Sequence, residues 1–308
     1  MSSLTAISML MMALLLAVAT PALLADGFEP TSKSVRQRDD LAVVTFNIRY
    51  ANDHDGPNGW AFRKALVMQV IRDFNPDLLG TQEVKPKQLA FLREQLGEDY
   101  LMVAGKPANA TPAGEHQAIF ARKDRFEQIE HGQFWLSETP DEPGSRGWDA
   151  NLPRSVNWAR LTDLKRNGAT ILFLNTHWDH IGEQARQQSA KLMRQWITDN
   201  AKGSSVVVTG DFNANADSQA YQNLFAKPTS GLELVDAYRV VRAEAKLPEE
   251  GTFHGFTGKP NPGRIDWIIS TPDFVAIASD NDRRHEKELY PSDHFPVWAI
   301  LRPGGKQR

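Results

Sequence analysis

The chain has 308 residues, 41% of them hydrophobic and 24% charged, and its 35 Lys and Arg face 38 Asp and Glu for a formal net charge of -3. That balance is globular, and it excludes a strongly basic coat for nucleic acid, whose affinity for the phosphate backbone comes from Lys and Arg. The absence of cysteine excludes disulfides, thiolate zinc sites and cysteine nucleophiles together.

Residues 1–25 carry no charged side chain, and their core at 7–19 is almost entirely apolar before Pro21 and Ala25. The apolar core is shorter than the roughly 20 residues a spanning helix needs, so a secretory signal peptide cut near Ala19 or Ala25 is expected rather than a membrane anchor. The expected location is secreted or periplasmic, with no stable membrane insertion after cleavage. Residues 26–40 read as a polar tether, 41–303 as one domain without repeats or long linkers, and 304–308 as a tail.

Within the domain, short apolar runs rich in β-branched residues predict strands at 41–48, 77–81, 118–121, 156–161, 170–175, 206–209, 265–270 and 296–301. A helix is expected at 60–74, where Phe62, Leu66, Val67, Val70 and Ile71 recur at helical intervals. A second, at 183–200, places Leu192, Met193, Trp196 and Ile197 on one face. The segment 134–155, with Trp135, Trp148, Pro140, Pro143, Pro153, Gly144 and Gly147, reads as a long ordered loop that shapes specificity. Strands that look buried on both faces, interleaved with helices, suggest an α/β arrangement of two packed sheets with helices outside.

Polar residues interrupt or directly follow these runs at Asn47, Glu83, His177, Asp211, Asn213, Asp266, Asp293 and His294. One such ending is ordinarily a turn former or a helix cap. Eight of them, Glu and His included, point to groups that meet a ligand, a metal or one another. Asn47, Glu83, Asp211, Asn213 and Asp293 offer only oxygen, which suits a hard cation: Mg2+, with Mn2+ or Ca2+ as alternatives. His177 and His294 can exchange a proton near neutral pH, and Arg154 is a candidate grip for phosphate. A hard metal, a water nucleophile and two oriented histidines are the apparatus for hydrolysing a phosphate ester.

The series Thr45-Phe46-Asn47-Ile48-Arg49, Gln82-Glu83-Val84, Asn175-Thr176-His177, Gly210-Asp211-Phe212-Asn213, Arg264-Ile265-Asp266-Trp267 and Ser292-Asp293-His294-Phe295-Pro296 resembles the endonuclease/exonuclease/phosphatase superfamily in order and spacing, across residues 41–301. The resemblance implies a four-layered αββα sandwich. It implies Asn47 and Glu83 as a metal-binding pair, Asp293 as a second metal ligand, and Asp211 as the group that holds or deprotonates the attacking water and also meets the metal. Asn213 would orient the phosphate or the leaving oxygen, and Asp266 would orient His294. His177, with His294, would contact the phosphate, with Glu115 as the carboxylate partner of His177 and Arg154 as a phosphate-contacting arginine. His116 and His180 stand near these positions without an assigned role.

The activity so implied is a Mg2+-dependent phosphodiesterase with nuclease-like chemistry. Two alternatives stand beside it: a phosphomonoesterase or phospholipase acting on a small phosphorylated substrate, and a binding protein that kept the fold without activity. Acidic and basic residues are interspersed with no run of five or six like charges, so the partner stays open between nucleic acid and a small phosphorylated molecule. A monomer is expected.

Overall fold

The computed structural model describes residues 36–226, 232–243 and 250–304, so the expected signal peptide, most of the tether and the last four residues lie outside the described residues. Twelve strands follow in chain order: β1 (Leu41–Asn47), β2 (Leu78–Val84), β3 (Tyr100–Val103), β4 (His116–Arg122), β5 (Phe126–Trp135), β6 (Ser155–Asp163), β7 (Ala169–His177), β8 (Ser205–Asp211), β9 (Val235–Asp236), β10 (Asp266–Ser270), β11 (Phe274–Asn281) and β12 (Val297–Pro303). The helices are α1 (Trp60–Phe74), α2 (Pro86–Leu96), α3 (Glu183–Asn200), α4 (Gln219–Phe225) and α5 (Ala237–Val241). One six-stranded sheet has the order β11-β12-β1-β2-β4-β3 and the other β5-β6-β7-β8-β10-β9.

Successive side chains of a strand point to opposite faces, and this parity sets the layers. Leu41 and Val43 of β1 pack with Ile171, Phe173 and Val207 of the opposite sheet, in one core between the sheets. Their neighbours Ala42, Val44 and Phe46 pack with Val67, Val70 and Ile71 of α1 and Leu89 and Leu92 of α2. On the far side Leu172, Leu174, Val206 and Val208 face Ala190, Met193 and Ile197 of α3. Burial on both faces explains why the central strands are nearly continuous apolar runs, and the product is the expected αββα sandwich.

The inward parity turns polar toward one end of the sandwich. Beyond Leu41 and Val43 come Thr45 and Asn47, beyond Leu78 come Gly80 and Gln82, and beyond Ile171 and Phe173 come Asn175 and His177, all on the inter-sheet face. The Asn175 amide nitrogen crosses the gap to donate to the carbonyls of Thr81 (2.9 Å) and Ala118 (3.1 Å), while its oxygen accepts from Gln82 (2.7 Å) and Thr209 (3.0 Å). Glycine at position 80 makes the crossing possible: a Cβ there would lie 2.0 Å from Thr209 Oγ1 and 2.5 Å from Asn175 Oδ1. Gly80→Ala is therefore expected to destabilise the fold by about 1–3 kcal/mol through overpacking. The measurement is the urea unfolding midpoint, and an unchanged midpoint would show that the sheets do not meet so closely here.

Several elements differ from the sequence reading. The long loop begins only after β5 ends at Trp135, and runs over 136–154. β5 has exposed, partly charged residues on a sheet edge and carries no long apolar run, whereas β11, also an edge strand, opens with the apolar run Phe274-Val275-Ala276-Ile277-Ala278, which the sequence reading does not include. In α1 it is Arg63 that is buried, whereas Phe62 is 65% exposed. Arg63 is drawn inward because its guanidinium donates to the carbonyls of Ile48, Arg49 (2.7 Å), Asn58 (2.8 Å) and Pro291 (3.1 Å). The end of the expected tether is tied to the domain, with Asp40 buried and paired with Arg302 at 2.8 Å. Among the described residues no helix is long and apolar enough to cross a membrane.

Candidate active site

The polar end of the sandwich is where the candidate residues meet. β1 ends at Asn47, β7 at His177 and β8 at Asp211; His177 lies beside Asp211 in the parallel β7–β8 register, and Asp266 lies opposite Asp211 where β10 begins. Glu83 sits at an irregularity in the pairing of β2 with β4, between Thr81 and Val84, and has a left-handed φ of 62°. A bulge of this kind re-aims a side chain. Asn213 (φ 47°) and Arg49 (φ 53°) share this costly conformation, so three non-glycine residues of one site are held in a sparsely populated backbone state.

Asp211 is the hub. Its carboxylate accepts from Asn47 Nδ2 at 2.9 Å and from the Asn213 backbone N–H at 3.0 Å. Nε2 of His177 lies 3.5 Å away and Nε2 of His294 3.7 Å away. The same Asn47 amide nitrogen donates to Glu83 Oε1 at 3.1 Å, and Glu83 Oε2 accepts from the Tyr50 backbone N–H at 3.0 Å. His294 Nδ1 is 2.9 Å from Asp266 Oδ2, which forms the expected dyad. Ser292 donates to the Asn47 carbonyl at 2.6 Å and so ties the His294 segment to β1.

Burial and charge divide the two histidines. Burial works against a charge on His294, but Asp266 and Asp211 outweigh it and raise its pKa to about 10. Burial lowers the His177 pKa well below the usual imidazole range, and the cations Arg154, His294 and His180 push the same way. Without a metal, burial and the neighbouring Asp266 raise Asp211 to about 7. Asp293 is raised too, by burial first and also by Glu83. The site thus pairs a protonated His294 with a neutral His177 around a carboxylate poised near neutrality, an arrangement suited to moving protons in hydrolysis.

Glu83, His177, Asp211, Asn213, Asp293 and His294 line a cavity of about 670 Å³, together with Arg49, Tyr50, Lys85, Glu115, Arg154 and His180, while Asn47 and Asp266 hold Asp211 and His294 from outside its lining. One expected pairing is corrected. Glu115 reaches the cavity, but it pairs with Lys85 at 3.5 Å, and His177 Nδ1 is buried with no hydrogen-bond partner among the described residues. The physical reason is local: Lys85, just past the end of β2, is the cation nearest the start of β4.

Arg154 is buried at the cavity wall, 3.2 Å from His180 Nδ1 and 3.8 Å from Asp179. Asp179 accepts backbone N–H groups from Leu152 (3.0 Å), Ile181 (3.0 Å) and Gly182 (2.7 Å). Asp149 accepts from Ala185 N at 2.6 Å and Gln184 N at 3.2 Å, in the first turn of α3. The end of the 136–154 loop is therefore fastened to α3, and Arg154 is held in the wall. Sequence reasoning passed over Arg49, Tyr50, Lys85 and Asp179. The available signal was their position, each within three residues of a candidate site residue or of His180.

The donor set fits a hard divalent cation. Glu83, Asp211 and Asp293 are gathered in one cavity, the carboxylates of Asp211 and Asp293 resist ionisation there, and the cation touching Asp293 is Arg49 at 3.7 Å. Asp211, Asp266 and His294 also present ligand atoms within 4.8 Å of one another, although His294 Nδ1 is engaged with Asp266. Asn47 turns its amide nitrogen to Glu83 and Asp211 while its oxygen accepts the Arg49 N–H at 3.0 Å, so it organises the carboxylates that would hold the ion.

The order of motifs, the double sheet and the Asp–His site define a class. A family model described as the Endonuclease/Exonuclease/phosphatase family matches residues 44–294, and the chain belongs to that family of hydrolases acting on phosphoester bonds, generally dependent on a divalent metal. The chain is similar to an endonuclease/exonuclease/phosphatase from Bacteroides vulgatus, with 36% identity, a TM-score of 0.77, and coverage of 86% of this chain and 99% of the other. It is similar to a mannosyl-6-phosphatase from Bacteroides thetaiotaomicron, with 35% identity, a TM-score of 0.76, and coverage of 85% and 99%. Human Nocturnin is 26% identical over 77% of this chain, and the CCR4-Not complex 3'-5'-exoribonuclease subunit Ccr4 of Debaryomyces hansenii is 22% identical over 81%. The chain spans 57% and 36% of the length of those two proteins.

Proposed function

We propose that the protein is a divalent-metal-dependent phosphomonoesterase that releases phosphate from a compact, sugar-sized molecule. The observation that carries this reading is the cavity, whose volume of about 670 Å³ surrounds one reacting centre with Arg49, Lys85 and Arg154 on its wall. That volume lies in the usual range for small-molecule sites. The likeness to a mannosyl-6-phosphatase at 35% identity, over nearly the whole of that chain, supports the same class of substrate.

In this reading Asp211 aligns the attacking water and takes its proton, with Asn213 and Arg154 orienting the phosphoryl oxygens. His294, held by Asp266, meets the phosphoryl group with its Nε2–H, and neutral His177 accepts or donates one hydrogen bond beside it. A divalent cation held by Glu83, Asp211 and Asp293 would supply positive charge to the oxygens that become more negative during transfer.

A second reading, a nuclease-like phosphodiesterase, is supported by the likeness to the 3'-5'-exoribonuclease subunit Ccr4. The two separate in one panel: mannose 6-phosphate, glucose 6-phosphate, p-nitrophenyl phosphate, bis-p-nitrophenyl phosphate, sphingomyelin and an oligoadenylate, each with Mg2+ and with EDTA. Hexose phosphates are expected to be cleaved with a kcat/KM at least about tenfold above that of the diester. Faster cleavage of the diester or the oligoadenylate gives the site to the second reading. Export rests on the apolar, uncharged residues 1–25, and N-terminal sequencing of protein recovered from the periplasm or medium would find the chain beginning near residue 20 or 26.

A further inference from the structure

We propose that Glu115 and Lys85 form the part of the site that reads the leaving group, by hydrogen bonding to neighbouring hydroxyls of a sugar or polyol. The inference rests on the small-substrate reading above and names the residues that would make it selective. Both side chains line the reaction cavity, are about a quarter exposed, and lie 3.5 Å apart.

Their hydrogen-bonding capacity is unspent. A carboxylate offers about four acceptor positions and an ammonium three donors. Lys85 places one donor on the Ala113 carbonyl at 3.1 Å and one toward Glu115, which leaves a third. A sugar hydroxyl both donates and accepts, so two adjacent hydroxyls match a carboxylate beside an ammonium. A second phosphate matches less well, because Glu115 would place a carboxylate against it in the cavity wall. The pair therefore favours a hydroxyl-rich, uncharged leaving group over a polyanion.

The pair is also held in place, as selectivity requires. The turn before Glu115 closes on itself: the Ala108 N–H donates to the Glu115 carbonyl at 2.9 Å, and the Trp135 indole N–H donates to the Ala108 carbonyl at 2.6 Å. A Cβ at Gly114 would lie 2.0 Å from Asn109 Oδ1, so this turn has little slack. Lys85 Nζ lies over the Tyr50 ring at 5.5 Å, and the Arg49 guanidinium carbon is 4.2 Å from the same ring's centre.

The test compares two substrates that share the phosphate and differ in the leaving group: mannose 6-phosphate, rich in hydroxyls, and p-nitrophenyl phosphate, which has none. In Glu115→Ala the ratio of kcat/KM for the sugar over the aryl phosphate is expected to fall about ten- to thirtyfold, with smaller falls in Glu115→Gln and Lys85→Met. If both substrates lose activity in the same proportion in all three variants, Glu115 serves the reacting centre through His177 and the proposal is overturned. A ratio within twofold of the parent's in all three also overturns it. Failure of the underlying reading would show separately, in the unsubstituted protein, as cleavage of diesters without cleavage of mannose 6-phosphate.

Discussion

Asp211→Asn is expected to lower kcat on p-nitrophenyl phosphate by about a thousandfold while the fold persists. The substitution keeps size and shape but removes a proton acceptor that faces His177, His294 and Asn47 at once. It also turns an amide N–H toward a partner that already donates, because Asn47 Nδ2 points at Asp211 Oδ2 from 2.9 Å. One oxygen still accepts the Asn213 N–H, so the chain around it should hold. Steady-state kinetics with circular dichroism on the same sample decide the matter. A variant with a folded spectrum and more than about a tenth of parental kcat would remove Asp211 from the proton-moving role.

The second large effect concerns the metal. EDTA is expected to abolish turnover by the parent, and Mg2+ or Mn2+ to restore it. Glu83→Gln should raise the Mg2+ concentration for half-maximal activity by at least about tenfold and lower the maximum as well. Its carboxylate is aimed by a strained backbone and by two hydrogen bonds, from Asn47 and Tyr50, and glutamine preserves the shape but not the charge. Calorimetric titration of Mg2+ gives a readout independent of catalysis. An affinity in Glu83→Gln equal to the parent's would show that the ion is held elsewhere.

Much of the site was legible because it breaks a rule that sequence can display. An inward strand position should be apolar, and Asn47, His177, Asp211 and Asp266 are not, so each asks for a partner. The structure brings these four together with Glu83, Asn213, Asp293 and His294 around one cavity. What stayed hidden depends on folds of the chain that leave no pattern. The pairing of Glu115 with Lys85 arises from the turn at 107–114, and the aim of Glu83 from a left-handed residue in a strand that is otherwise regular. Arg63 reads as a surface cation on an amphipathic helix until four backbone carbonyls are seen to converge on it. The edge strand β5 is hidden for a related reason: exposure dilutes the apolar run that betrays a central strand, whereas β11 does begin with such a run at 274–278.

The fastening of the 136–154 loop has a consequence for redesign. Asp149 and Asp179 clamp its closing end beside α3, and its first turn is fixed by Trp135 N–H on the Pro140 carbonyl at 2.8 Å. The stretch 141–147 between those anchors is tied back as well, with Ser145 Oγ 2.6 Å from Ser137 Oγ and Gly147 packed so closely that a Cβ there would lie 2.4 Å from Ser137 Cα. The loop is therefore fastened along its whole length, and of its residues Asn151, Leu152 and Arg154 line the cavity, so a redesign that reshapes the pocket while keeping these ties starts at Asn151 and Leu152.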